Sequence, residues 1–167
     1  MGKQPNKKIM SPAGAGWDTN SQAASPLSPV CLCPIFKFSL PKREMRMIQN
    51  EKDFIEWLDR QLNVDIPSDV IAFNINIYES PFNVELVGSS EFDPENEDWA
   101  CNEDWVSEPR MESVSAELFG SSWEEAQENI FAMAKAYLSS GVTNAKKLNS
   151  AKAFAVGFVD GSLRYVH

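Results

Sequence analysis

Between residues 70 and 88 the chain alternates apolar and polar residues twice over with one short break, a pattern that admits few folds. Ile71, Phe73, Ile75 and Ile77 fall on one face of an extended segment and Asn74 and Asn76 on the other, so residues 70 to 79 read as a half-buried strand. Ser80-Pro81 then breaks the run, and Phe82, Val84 and Leu86 alternate again up to Gly88. The pair predicts an antiparallel hairpin with one apolar face that other elements must cover.

Two helices are available to cover it. The first begins after Asn50, which can cap the opening turn, with Asp53 near the positive end of the helix dipole and Phe54, Ile55, Leu58 and Leu62 on one stripe; Pro67 forbids its continuation. The second opens with the capping box Ser122 and Glu125. Its stripe is Trp123, Ala126, Ile130, Met133, Ala134, Tyr137 and Leu138, and Gly141 supplies a stop. Val114, Ala116 and Leu118, alternating with Ser113, Ser115 and Glu117, suggest a third strand. A closing hairpin is expected from Phe154, Val156 and Phe158, the two-residue turn Asp160-Gly161, and the return Leu163 to Val166. The order needs no repeat and no parallel crossover. The expectation is therefore an α+β fold: a mainly antiparallel sheet of about five strands with two helices packed on one face.

Length and charge divide the chain. At 167 residues and 43% hydrophobic it suits one globular domain with an appendage. Residues 1 to 46 hold seven basic and two acidic side chains, a net +5, and are rich in Pro, Ser, Gly, Ala and Asn without apolar periodicity. They read as a disordered or non-native N-terminal extension. Lys42-Arg43-Glu44-Met45-Arg46 can be encoded by purine-rich codons, as a bacterial ribosome-binding site translated in frame would be, which makes Met47 the expected start. Residues 47 to 167 form the expected single acidic α+β domain, with eight basic against twenty-two acidic residues, a net −14. Such a body repels nucleic acid and anionic membrane, whose binding rests on Lys and Arg, and favours a basic protein. The longest apolar run, Val30 to Leu40, is broken by Pro34 and Lys37 and falls short of the roughly 20 residues a bilayer requires. Three cysteines, Cys31, Cys33 and Cys101, supply neither a disulfide framework nor a zinc site, which suits a reducing cytoplasm.

The negative charge concentrates between Glu91 and Trp105, where seven carboxylates surround two tryptophans and a cysteine with no basic residue among them. A calcium loop starting at Asp93 fails because its sixth position is Asp98, where an EF-hand needs glycine. A nucleophilic Cys101 lacks a base, since the one histidine is the terminal His167, and the neighbouring acids disfavour its thiolate. Gly157 and Gly161 are not spaced as a phosphate loop. No catalytic residue, metal or cofactor is therefore expected. Protein binding fits the residue types better: tryptophan is enriched among interface anchors and surrounding charge selects the partner. The candidate partner-binding residues are Glu91, Asp93, Glu95, Glu97, Asp98, Trp99, Glu103, Asp104 and Trp105. The alternatives are a small carboxylate-dependent or metal-binding enzyme using the same loop, a homodimer paired through the edge Leu163 to Val166, and a solvated loop that Trp99, Cys101 and Trp105 merely tether.

With its acidic loop around Asp98-Trp99-Ala100-Cys101, the segment 47 to 167 resembles bacterial immunity-type proteins, which neutralise a toxin domain by covering its active site. The resemblance implies a tight protein partner, no catalysis and a cytoplasmic location. Immunity families share no universal motif, so no site residue is carried over from them. The mode of action it implies is occlusion of a basic toxin or nuclease domain, in a salt-sensitive complex.

Overall fold

The computed structural model describes residues 47 to 167; the extension expected over residues 1 to 46, with its start-site reading, lies outside the described residues. The first helix, α1 (Glu51–Leu62), starts as its sequence dictates. Asn50 Oδ1 accepts from the Asp53 N–H at 3.0 Å, and Phe54, Trp57, Leu58 and Leu62 are buried along one stripe. Burying each of those side chains contributes about 1.5–3 kcal/mol, far more than the cap.

The hairpin is present as β1 (Ala72–Tyr78) and β2 (Asn83–Ser89), antiparallel, with Ile75 opposite Leu86 and Tyr78 opposite Asn83. Ile75, Ile77, Val84 and Leu86 face the helices and are essentially inaccessible. The other face departs from the half-buried expectation: Asn74 and Glu85 are 1% and 0% exposed, because a loop folds back over them.

Two short strands, β3 (Trp105–Val106) and β4 (Glu112–Ser113), both pair antiparallel with β2. The third strand expected over residues 113 to 118 stops at Ser113. Ser115 caps a single turn, α2 (Ala116–Phe119), by accepting from the Leu118 N–H, and this local bond outcompetes continued pairing. The main cover is α3 (Trp123–Ser139), with Ala126, Ile130, Met133, Ala134 and Tyr137 buried. Ser122 accepts from the Glu125 N–H as expected, but the Glu125 carboxylate accepts from the N–H and hydroxyl of Ser121 instead of Ser122. Trp123 is not core: as the first residue of α3 it is 49% exposed, stacked on Phe158 at 4.8 Å and donating to Glu79 at 2.7 Å. Gly141, at φ +74°, follows the helix end as its sequence position suggests. A short α4 (Ala145–Asn149) leads into the next strand.

That strand, β5 (Ala153–Phe158), runs parallel to β1, with Ile75 beside Val156, so one parallel crossover exists where none was expected. Every residue of β5 is buried, as suits a strand covered on both faces. The return strand β6 is only Arg164–Tyr165, with Tyr165 opposite Ala155. The turn runs through Val159 and Asp160 and is closed by the Gly161 N–H on Phe158 O at 3.0 Å, in place of the two-residue Asp160-Gly161 link. Sheet order is β3-β2-β1-β5-β6, with β4 also on β2: an α+β fold, mainly antiparallel, its helices gathered on one face. Among the described residues no helix is long and apolar enough to cross a membrane.

Candidate functional site

The acidic segment is the lid of the second sheet face. A floor of small residues, Ala72 on β1 and Ala153 and Ala155 on β5, leaves room for Trp99 and Ala100 to pack down, with Phe92, Leu163 and Tyr165 around them. Small side chains are what permit this approach; larger ones would lift the loop. Asn96 accepts from the Asp98 N–H and starts a 3-10 turn, Glu97–Cys101, that aims Trp99 inward. Its ring is 3% exposed, lies edge-on to Phe92 at 5.6 Å and donates Nε1–H to the Tyr165 hydroxyl at 3.2 Å. Trp105 is half-buried, edge-on to Phe73 at 6.1 Å, over Gly88. A Cβ at Gly88 would stand 2.6 Å from Val70 and 3.3 Å from the Trp105 ring, so only glycine fits there. Both tryptophans thus tether the loop. Cys101, expected as a third tether, is exposed instead, because the tight turn that buries Trp99 and Ala100 carries it to the solvent side.

The seven carboxylates are all exposed, yet five already serve the chain. Glu91 accepts from Asn102 Nδ2 at 3.0 Å, Asp93 from the Glu95 N–H at 2.9 Å and Glu97 from the Leu163 N–H at 3.1 Å. Asp104 accepts from both the N–H and the hydroxyl of Ser90 at 2.7 Å, and these two bonds hold its carboxyl below the usual value of 3.8. Glu103 accepts from Arg110 Nη2. Among the described residues, no hydrogen-bond donor or cation meets the Glu95 and Asp98 carboxylates.

Between the loop and β1 lies a cleft of about 350 Å³. Asn74, Asn76 and Tyr78 form its floor, Glu97, Asp98, Ala100, Cys101 and Glu103 one wall, and Val159, Gly161 and Leu163 the other. Asn74 Nδ2 donates to Asn76 Oδ1 at 2.6 Å, while Asn74 Oδ1 is buried with no partner. A buried acceptor left so costs about 1–3 kcal/mol. Beneath the floor, the buried Glu85 accepts from the Tyr78 hydroxyl at 2.9 Å and from Arg110 Nε at 3.1 Å. Its other oxygen lies 3.1 Å from Arg110 Nη2, close enough for charge attraction but off the hydrogen-bond direction. Burial, and then Glu85, push the Tyr78 hydroxyl up, so it stays a donor at neutral pH. Arg110, held by Glu103 and Glu85, is raised further above an already high value and is a fixed charge.

The sequence reading missed Asn74, Tyr78, Glu85 and Arg110. A signal existed for two of them: Glu85 interrupts the apolar stretch Val84 to Val87, and Arg110 is the only basic residue between Arg60 and Lys135. A larger groove, about 560 Å³, lies elsewhere, between Val64 to Phe73 and Lys147 to Lys152. It contains none of the loop carboxylates, and Lys147 there is engaged with Leu62 O and Val64 O. Among the described residues, no three His, Cys, Asp or Glu side chains are grouped to hold a metal ion. What the arrangement can do chemically is accept hydrogen bonds and attract positive charge. Comparison with family models, with curated proteins and with solved structures found no match to this chain.

Proposed function

We propose that this protein is a non-catalytic binding module that presents its acidic loop to a basic protein partner, in the manner of an immunity protein occluding a toxin or nuclease domain in the cytoplasm. One observation carries the reading: the loop holds seven exposed carboxylates on a framework pinned by Trp99, Trp105 and its own hydrogen bonds. A charged loop that is already ordered loses little freedom on association, which favours affinity. The carboxylates bear on the association rate and the choice of partner, through steering that salt weakens. Of the nine residues put forward as contacts, Trp99 supports the surface from inside and Trp105 from its edge.

The test is retention of a basic protein from the native host on the immobilised chain, measured at low and high salt and repeated with Glu95→Lys, Glu97→Lys and Asp98→Lys combined. The reading expects retention that high salt weakens, and association slowed at least about tenfold by the charge reversal at low salt. Retention that ignores both salt and charge reversal sinks it.

A further inference from the structure

We propose that the cleft between the acidic loop and β1 is a seat for a guanidinium group, the side chain of an arginine on the basic partner. This rests on the protein-binding reading and specifies its central contact. The cleft has acceptors to spare: the Asp98 carboxylate meets no donor among the described residues, Glu97 has one oxygen engaged by Leu163, and Asn74 Oδ1 is buried and unpaired. The carboxylates stand apart rather than converging, which disfavours a small metal ion and suits a broad planar cation with several donors. The same wall already holds one guanidinium, since Arg110 bridges Glu103, which lines the cleft, and Glu85 beneath it. Ala100, Leu163 and Val159 offer apolar surface for an aliphatic stem, as a long cationic side chain requires. Arginine is favoured over lysine because its donors spread in a plane, whereas an ammonium is a compact and strongly hydrated point charge.

The experiment is a titration of the isotope-labelled full chain with N-acetyl-arginine methylamide, followed by NMR at the side-chain amides of Asn74 and Asn76. Its uncharged counterpart is N-acetyl-citrulline methylamide. Saturable shifts at both amides are expected, with the citrulline compound about tenfold weaker, the difference a charge-assisted hydrogen bond makes. Asp98→Asn, at an exposed position, should weaken arginine binding about fivefold with the thermal midpoint unchanged. The proposal is overturned if no shift saturates, if citrulline binds equally, or if the shifts are confined to residues 91 to 96. In that event a partner still released by charge reversal leaves the protein-binding reading standing without the cleft. Saturable arginine binding alongside no retained basic protein removes that reading and leaves the guanidinium seat.

Discussion

The two faces of the sheet are built on opposite principles. Toward α1 and α3, Ile75, Ile77, Leu86, Phe154 and Val156 interlock with Phe54, Leu58, Ile130 and Tyr137, all at or below 1% exposure. Toward the acidic loop, the alanines of β1 and β5 receive a single aromatic cluster at one end, and beside it lies a polar floor of Asn74, Asn76 and Tyr78 over a buried Glu85. The first face is stabilised by apolar area; the second is held by the small aromatic cluster around Trp99, by Trp105 at the sheet edge and by a few directed bonds. Dense apolar packing has no room for a ligand, whereas a loop resting on small residues leaves a cleft beside it. The surface proposed for recognition lies on this second face.

The largest expected effect belongs to the helix side. Leu86→Ala opens a cavity in a fully buried position and should cost about 2–5 kcal/mol in urea unfolding, with the whole domain lost in one transition. On the loop side, Trp99→Ala also truncates a buried side chain; in a rigid core such a change costs about 3–5 kcal/mol, and the cost falls where the covering loop can collapse onto the alanine floor. Its signature should differ: proteolysis within residues 91 to 104 and loss of near-ultraviolet signal, with far-ultraviolet signal retained. If it instead lowers global stability as much as Leu86→Ala, the two faces are one cooperative unit and the contrast fails.

Arg110→Met probes the polar floor. It leaves Glu85 buried without its cation, and because Arg110 is itself half exposed the cost should be about 2 kcal/mol, below that of breaking a fully buried pair. A change under about 0.5 kcal/mol, the usual range for a surface site, would show that Tyr78 alone satisfies Glu85. The smallest effect concerns pH. The Asp104 carboxyl is held below 3.8 by Ser90, so the folded state binds its proton less readily than the unfolded chain does. Its contribution is present above about pH 4 and lost as pH falls through the lowered folded value. Ser90→Ala removes the hydroxyl bond but keeps the N–H bond, the larger of the two causes, so the Asp104 titration, read by NMR, should move only part of the way back toward 3.8. An unmoved titration would show that the hydroxyl contributes nothing and leave the shift to the N–H bond.

Elements governed by local chemistry were legible in the chain. The caps of α1 and α3, the Gly141 stop and the β1-β2 alternation are each written within a few residues, and each is present. Failures fell where two local options were close in energy or where a distant segment decided. Residues 113 to 118 alternate as a strand does, yet Ser115 offers a capping bond and α2 forms. Trp123 lies on the helical stripe, but at the first position of α3 it projects past the core.

The sequence by itself determined that this is an α+β domain with a strongly acidic segment containing two tryptophans, because periodicity, caps and charge are local properties of the chain. Only the tertiary structure decided that the segment covers the second face of the sheet. The same folding turns Asn74 and Glu85 from solvated positions into buried ones and brings Arg110, in the link between β3 and β4, onto Glu85 of the adjacent β2. The physical reason is that burial of a polar group depends on which distant segment covers it, and the pattern of a strand records its own two faces but not what will lie upon them.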